Sequence, residues 1–394
     1  LLICVPSLEL VEQWEADVHL FYPDITIIKC GSPYRGHKEL LKSLTQARFP
    51  EQVVVISTYD SAQGDFYMAK WRQAKPEQFA MICDEVHNMG APKSQCLMEL
   101  NPAYRIGLSA TPRRNFDEIG SEKILNFYHQ NTFEFSIKDA QREHYLVEYQ
   151  YRVLPCAMPE EDWESYKAYS KEIVQLQHAL EQEDDEKDRL RLQQRIEGRY
   201  RDRAKLLKKN DQKVQTLQTI FDEISPSARV LIYGDDLNHL DELGKELDRM
   251  GKYYFKYTGE LDAQKERPTI LKEFRQGIRK ILLAVGCLDE GIDIPACDVA
   301  VFISSSTSER QFIQRRGRVL RIAPGKTTAW IYDYLVYPIL PASTSDEERR
   351  MALSMIDAQY RRINLMVDDA INGIREHQKL DQFLSQRKLN PYDF

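Results

Sequence analysis

Short apolar runs separated by helical stretches fill the first part of this chain, and the arrangement returns after Pro226. The runs at 1–5, 25–29, 53–57, 79–83 and 104–109 lack strict polar alternation, which is how parallel strands covered on both faces read. Apolar residues at helical spacing occupy 8–20 and 35–47 between them. Beyond Pro226 the expected strands are 229–233, 253–257, 280–285, 299–304 and 327–332, with helices at 236–250 and 264–276. Strand and helix in alternation imply doubly wound parallel sheets, so the fold class is α/β with two such units.

The text between the units is different. No proline stands between Pro159 and Pro226, and Gly198 is the only glycine there. Trp163, Tyr166, Ile173, Leu176 and Leu180 recur at helical spacing, as do Leu192, Ile196, Tyr200, Ala204 and Leu207. Two long amphipathic helices, broken near 181–188, are expected. The first is acidic, and the second is basic from Arg189 to Lys209. Two readings stay open: a hairpin whose opposite charges face each other and water, or a basic helix laid along a nucleic-acid backbone. Residues 345–384 read as a charged helical tail, either a docking helix or an interface to a further domain. The expected domain limits are 1–157, 158–225, 226–340 and 341–394.

At 394 residues, with 42% hydrophobic and 29% charged residues, the composition is that of an ordinary globular protein. A net charge of -7 does not advertise a nucleic-acid binder, yet a local basic channel governs phosphate contacts more than the total does. The seven cysteines form no Cys-x-x-Cys pair and several lie in apolar runs, which suggests buried reduced thiols rather than structural zinc. No run of apolar residues is long enough to span a bilayer and no signal peptide is evident, so a cytoplasmic location and no membrane partner are expected. Strand character from Leu1 onward, with no lead-in and no initiating methionine, reads as a chain cut from something longer.

Three motifs carry chemistry. Asp84-Glu85-Val86-His87 follows the run 79–83, at the carboxyl edge of a parallel sheet where ligands bind in open α/β folds. Asp84 would face a magnesium ion, through water, and Glu85 would polarise the attacking water. His87 could couple them to Ser109 and Thr111, whose hydroxyls end the next strand. In the second unit, Asp289-Glu290-Gly291-Ile292-Asp293-Ile294-Pro295 follows a strand; Gly291 permits close backbone approach, and Asp293 could meet a ribose or an arginine. Gln314-Arg315-Arg316-Gly317-Arg318-Val319-Leu320-Arg321 would open a short helix, with Arg318 and Arg321 on one face, able to reach a γ-phosphate. Alone, these stretches also read as a solvated turn, a capped strand end and a basic surface helix.

Together, Asp84 to His87, Leu108 to Pro112, Glu290 to Pro295 and Gln314 to Arg321 resemble motifs II, III, V and VI of superfamily-two helicases. The stretch from Val5 to Trp14 resembles motif Ia and Ser57-Thr58-Tyr59 motif Ib, while Leu231 to Gly234 resembles the motif IV region. The likeness covers about 1–335 apart from the insertion. It implies two RecA-like domains that hydrolyse ATP with Mg2+ while moving along nucleic acid. Pro6, Ser7, Thr58, Tyr59 and Gly234 would touch the strand, and Gln314 would join Gly291 and Asp293 at the nucleotide. The form of the motifs looks most like the branch of XPB-type repair helicases and restriction-enzyme motor subunits, which favours DNA over RNA and suggests further domains or subunits of a repair or restriction system. An RNA helicase and a non-catalytic nucleic-acid scaffold are the alternatives. Ser7 and Cys287 are mild departures from the motifs. The absence of a Gly-x-x-x-x-Gly-Lys-Ser/Thr loop is a serious one, and implies poor ATP binding by the chain as written.

Overall fold

Leu2, Ile3, Cys4 and Val5 are all buried, which explains why their strand shows no polar alternation. Leu2 and Cys4 join one apolar cluster with Val55, Met81 and Cys83, while Ile3 and Val5 join another with Leu10, Val11 and Ile56. Opposite faces of one strand therefore feed two covering layers. This computed structural model describes residues 1–32, 34, 52–113, 117–261, 266–285, 297–304 and 309–391. The chain divides into two compact units, the first holding Leu1–Glu134 and the second beginning at Phe135.

The first unit contains β1 (Leu2–Val5), α1 (Leu8–Phe21), β2 (Thr26–Cys30), β3 (Val53–Thr58), β4 (Ala80–Asp84) and β5 (Tyr104–Leu108). They form a sheet ordered β2-β3-β1-β4-β5 in which every pairing is parallel. All five expected strands are present, with ends shifted by a residue or so. The expected helix 35–47 lies outside the described residues.

The second unit carries a six-stranded parallel sheet. Its members are β6 (Glu148–Met158), β7 (Val230–Tyr233), β8 (Phe255–Tyr257), β9 (Ile281–Ala284), β10 (Val299–Val301) and β11 (Thr328–Pro338), in the order β6-β11-β10-β7-β9-β8. Strand β6 was not expected. It pairs with β11 from Glu148↔Thr328 to Met158↔Pro338, so the domain limit drawn after 157 falls inside the second unit. As an edge strand β6 tolerates Pro155, which in a sequence argues against a strand.

The insertion forms two helices, Glu160–Gln182 and Glu186–Lys208, broken where the sequence suggested. The second ends at Lys208, where the periodicity through Leu207 also ends. Asn210 caps a separate short helix, Asp211–Gln215, and ties it to β6 through Ala157 O at 2.9 Å. Several of the basic side chains pair within the molecule: Arg199 reaches Glu172 at 3.0 Å, Arg203 donates to Ser170, and Lys208 and Lys209 pair with Asp235 and Asp236, while Arg191, Arg195 and Arg201 stay exposed. Arg195 and Arg199 against Glu172 fit the hairpin of facing opposite charges.

The tail folds as Asp346–Val367, opened by a Ser345–Glu348 capping box, and Gly373–Gln386. It docks on the second sheet. Gln359 brackets Val336 with bonds to both its N–H and C=O, and Asn372 does the same for Tyr151 on the outer edge of β6. No described helix is long and apolar enough to cross a membrane.

Candidate active site

Asp84 ends β4 at the carboxyl edge of the first sheet. Its Oδ2 accepts the indole N–H of Trp14 at 2.9 Å, and its Oδ1 accepts the backbone N–H of Glu85 at 3.0 Å. The Tyr59 hydroxyl donates to the Asp84 carbonyl at 2.8 Å. Burial raises the Asp84 carboxyl above the usual range, a shift that the Trp14 and Glu85 hydrogen bonds oppose. Trp14 lies in the stretch read as motif Ia and Tyr59 in that read as motif Ib, so both segments grip the same acid.

Glu85 adopts a left-handed backbone, φ 48° and ψ 55°, which is uncommon for a residue with a side chain. Its carbonyl accepts both the backbone and the side-chain N–H of Asn88, at 2.9 and 3.0 Å, which holds the turn closed. Strain of this kind persists where surroundings over-determine it. His87 follows, 4% exposed, with Nδ1 3.3 Å from Glu85 Oε2 and 3.4 Å from Ser109 Oγ. Ser109 Oγ in turn accepts the Thr111 N–H at 3.2 Å. Glu85, His87, Ser109 and Thr111 thus form one continuous polar chain across neighbouring strand ends.

Ser7 caps α1 by accepting from Leu10 N–H, and Thr58 caps the short helix Tyr59–Ala62 by accepting from Ser61 N–H. Val5 and Thr58 are register partners, so the two caps leave adjacent strands at the same edge. Gly31, at φ 138°, sits beside them; a Cβ there would meet Leu8, Ser61 and Thr58 at 3.4–3.6 Å. The sequence reading missed Gly31 and Trp14. An indole N–H in an otherwise apolar helix face was the available signal, since such groups seek a partner.

In the second unit, Gly234 donates to Ala284 O at 2.8 Å, and a Cβ on it would lie 2.5 Å from buried Leu240. Close packing alone therefore accounts for glycine there. Gly291, Asp293 and Cys287 lie outside the described residues. The arginine motif occupies the second half of the helix Glu309–Val319 rather than opening one. Arg318 is in its last turn, but Arg321 lies past its end, paired across an isolated bridge with Leu146. The two arginines therefore do not share a helical face. Lys326 makes this end: its Nζ donates to Val319 O and to Arg321 O, stopping the helix with a side-chain cap. Gln314 is half-buried on the same helix. Arg315, buried, stacks 4.5 Å over the Tyr233 ring and donates to Ser304 O.

Two family models match in the order that these halves stand. Residues 1–114 match "Type III restriction enzyme, res subunit", and residues 212–323 match "Helicase conserved C-terminal domain". The chain belongs to the superfamily-two helicases. A relative in Sulfurisphaera tokodaii, DNA 3'-5' translocase XPB2, is 24% identical over 335 residues, covering 81% of this helicase chain and 69% of that protein. The Rad25 protein of Haloarcula marismortui is 25% identical over 327 residues, 82% of this chain, of which the chain spans only 44%. Among solved structures, the ATP-dependent Type ISP restriction-modification enzyme LlaBIII bound to DNA has the same fold over 94% of this helicase chain and 26% of its own, with a TM-score of 0.58 at 17% identity.

Proposed function

We propose that the chain is the motor core of an ATP-dependent DNA helicase or translocase, in which Asp84 and Glu85 serve the nucleotide and the two capped helix ends serve the strand. The observation that carries this is the polar chain from Glu85 through His87 to Ser109 and Thr111, because it links a water-activating acid to the next strand end. Glu85 orients and polarises the attacking water, and His87 holds its carboxylate while passing its state to Ser109. Asp84 suits magnesium: it is a hard oxygen donor, each oxygen accepts only one N–H in the bonds above, and a carboxylate has about four lone-pair sites. Such a cation takes one or two carboxylates and completes its shell with waters and phosphates. Magnesium, when bound, would neutralise developing phosphate charge. Arg318, Arg321, Gln314, Gly291 and Asp293 are proposed to supply the second unit's share of nucleotide contacts.

Ser7 and Thr58 stand at helix N-termini, where backbone N–H groups and the helix dipole favour a phosphate. Pro6 and Tyr59 flank them, and Gly234 is proposed to join them on the strand. Contacts of this sort read backbone rather than bases, so binding is weakly sequence-specific and strongly salt-dependent. The sequence holds no Gly-x-x-x-x-Gly-Lys-Ser/Thr loop, and these residues by themselves are proposed to turn over ATP hardly at all. The printed names of the XPB2 and Rad25 relatives support DNA as the substrate; a repair or restriction setting and a cytoplasmic location are proposed with it. Fluorescence anisotropy with labelled DNA and RNA oligonucleotides of one sequence tests the substrate: tighter DNA binding that weakens steeply with salt is expected, and a preference for RNA would overturn it.

A further inference from the structure

Arg316 stands inside the arginine motif but turns away from it. It is 6% exposed, and its Nη1 donates to Leu365 O at 2.7 Å, Asp369 Oδ2 at 3.1 Å and the Tyr149 hydroxyl at 3.2 Å. Leu365 is in the last turn of the tail helix Asp346–Val367, and Asp369 lies just beyond its end. Tyr149 belongs to β6, and its hydroxyl donates to Met366 O at 2.5 Å. One guanidinium therefore joins the arginine helix, the sheet edge and the tail. A neutral side chain at 316 would leave one carbonyl and one tyrosine hydroxyl without that donor, and Asp369 with Lys138, 3.7 Å away, as its remaining cation.

The tail is itself fixed to that edge. Asn372 brackets Tyr151, Glu376 accepts the Val153 N–H at 3.0 Å, and Ile371 donates to Tyr149 O at 2.9 Å. Just before β6, Val147 donates to Leu320 O at 2.8 Å and Leu146 pairs with Arg321. The end of the arginine helix is thus held by the lead-in to β6 on one side and by the tail on the other. The matched helicase model ends at 323, so the tail lies beyond it.

We propose that Arg316 is a positioning residue, a latch through which the C-terminal helices set the placement of Arg318 and Arg321. The proposal rests on the reading of those two arginines as nucleotide-facing. It makes the tail a control element: a factor that displaces it would release the latch and slow turnover without touching the acid pair.

Hydrogen exchange on the 394-residue chain tests the latch without nucleotide. Asp369→Asn should speed exchange of amides in 311–322 about tenfold, with the melting temperature and the exchange of β7, β9 and β10 unchanged, and Asp369→Glu should restore protection. Tyr149→Phe, which keeps the ring, should give a smaller rise in the same segment. Unchanged exchange in 311–322, or a rise spread evenly over the second unit, would overturn the latch. The second readout is ATP turnover by the chain with a phosphate-loop segment joined ahead of Leu1, where Asp369→Asn should lower kcat several-fold and leave KM for ATP in place. Faster exchange with an unchanged kcat would refute the positioning role. Wild-type protein without DNA-stimulated turnover would sink the motor reading alone, and the exchange comparison would still decide the latch.

Discussion

Lys213 lies at the base of the insertion hairpin, buried, with Nζ donating to Leu207 O at 2.6 Å and Ile303 O at 3.0 Å. Around it stand the Tyr334 ring, Cys156, His239, Asp235, Asp333 and Arg362. Burial lowers its pKa from 10.5 to about 7, with Arg362 adding to the fall. Between those values the unfolded chain binds a proton there that the folded chain does not, so stability rises with pH across that window. The slope is about 1.4 kcal/mol per pH unit for one proton, or about 3 kcal/mol between pH 7.5 and 9.5. Below pH 7 both states carry the proton and the contribution is flat. Lys213→Met keeps the unbranched stem and removes the titration. Urea unfolding followed by tryptophan fluorescence at pH 7.5, 8.5 and 9.5 should show the gap between wild type and variant shifting by that amount in favour of wild type as pH rises. A gap independent of pH would mean that the two carbonyls hold Lys213 charged inside the fold, and the reasoning would fail.

Other perturbations have equally direct readouts. Trp14→Phe removes the N–H on Asp84 and keeps a smaller aromatic ring; with a phosphate-loop segment joined, the Mg2+ concentration for half-maximal ATP hydrolysis should rise about tenfold, as loss of a supporting hydrogen bond does at metal sites. No change would show that the indole does not orient the acid. Ser7→Ala and Thr58→Ala should each lower thermal stability by about 1 kcal/mol through the lost cap and weaken DNA binding at all sequences alike. Loss for one DNA sequence only would contradict backbone contact. His87→Ala should leave DNA affinity intact while uncoupling it from turnover, so that DNA no longer stimulates hydrolysis; full stimulation would break the proposed link from Glu85 to Ser109.

Strands buried on both faces were legible because Leu2 to Val5 and Val230 to Tyr233 present no charged or amide side chain. β6 was not: Glu148, Gln150 and Arg152 do alternate with buried residues, as a strand should, but Pro155 interrupts the run, as an edge strand allows. The acid pair could be placed at a strand end from local pattern alone. Its grip by Trp14 could not, since the partners are 70 residues apart and only the packing of α1 brings them together. The arginine motif shows the same limit. Spacing put Arg318 and Arg321 on one face, but the local side-chain cap of Lys326 and the bridge to Leu146, a tertiary contact, end the helix between them.

The most direct test of the motor reading is DNA-stimulated ATP hydrolysis by the chain with a phosphate-loop segment joined ahead of Leu1, beside the same protein carrying Glu85→Gln. The account predicts stimulation by DNA that Glu85→Gln abolishes while DNA affinity is retained. Hydrolysis that survives Glu85→Gln, or that DNA never stimulates, would contradict it.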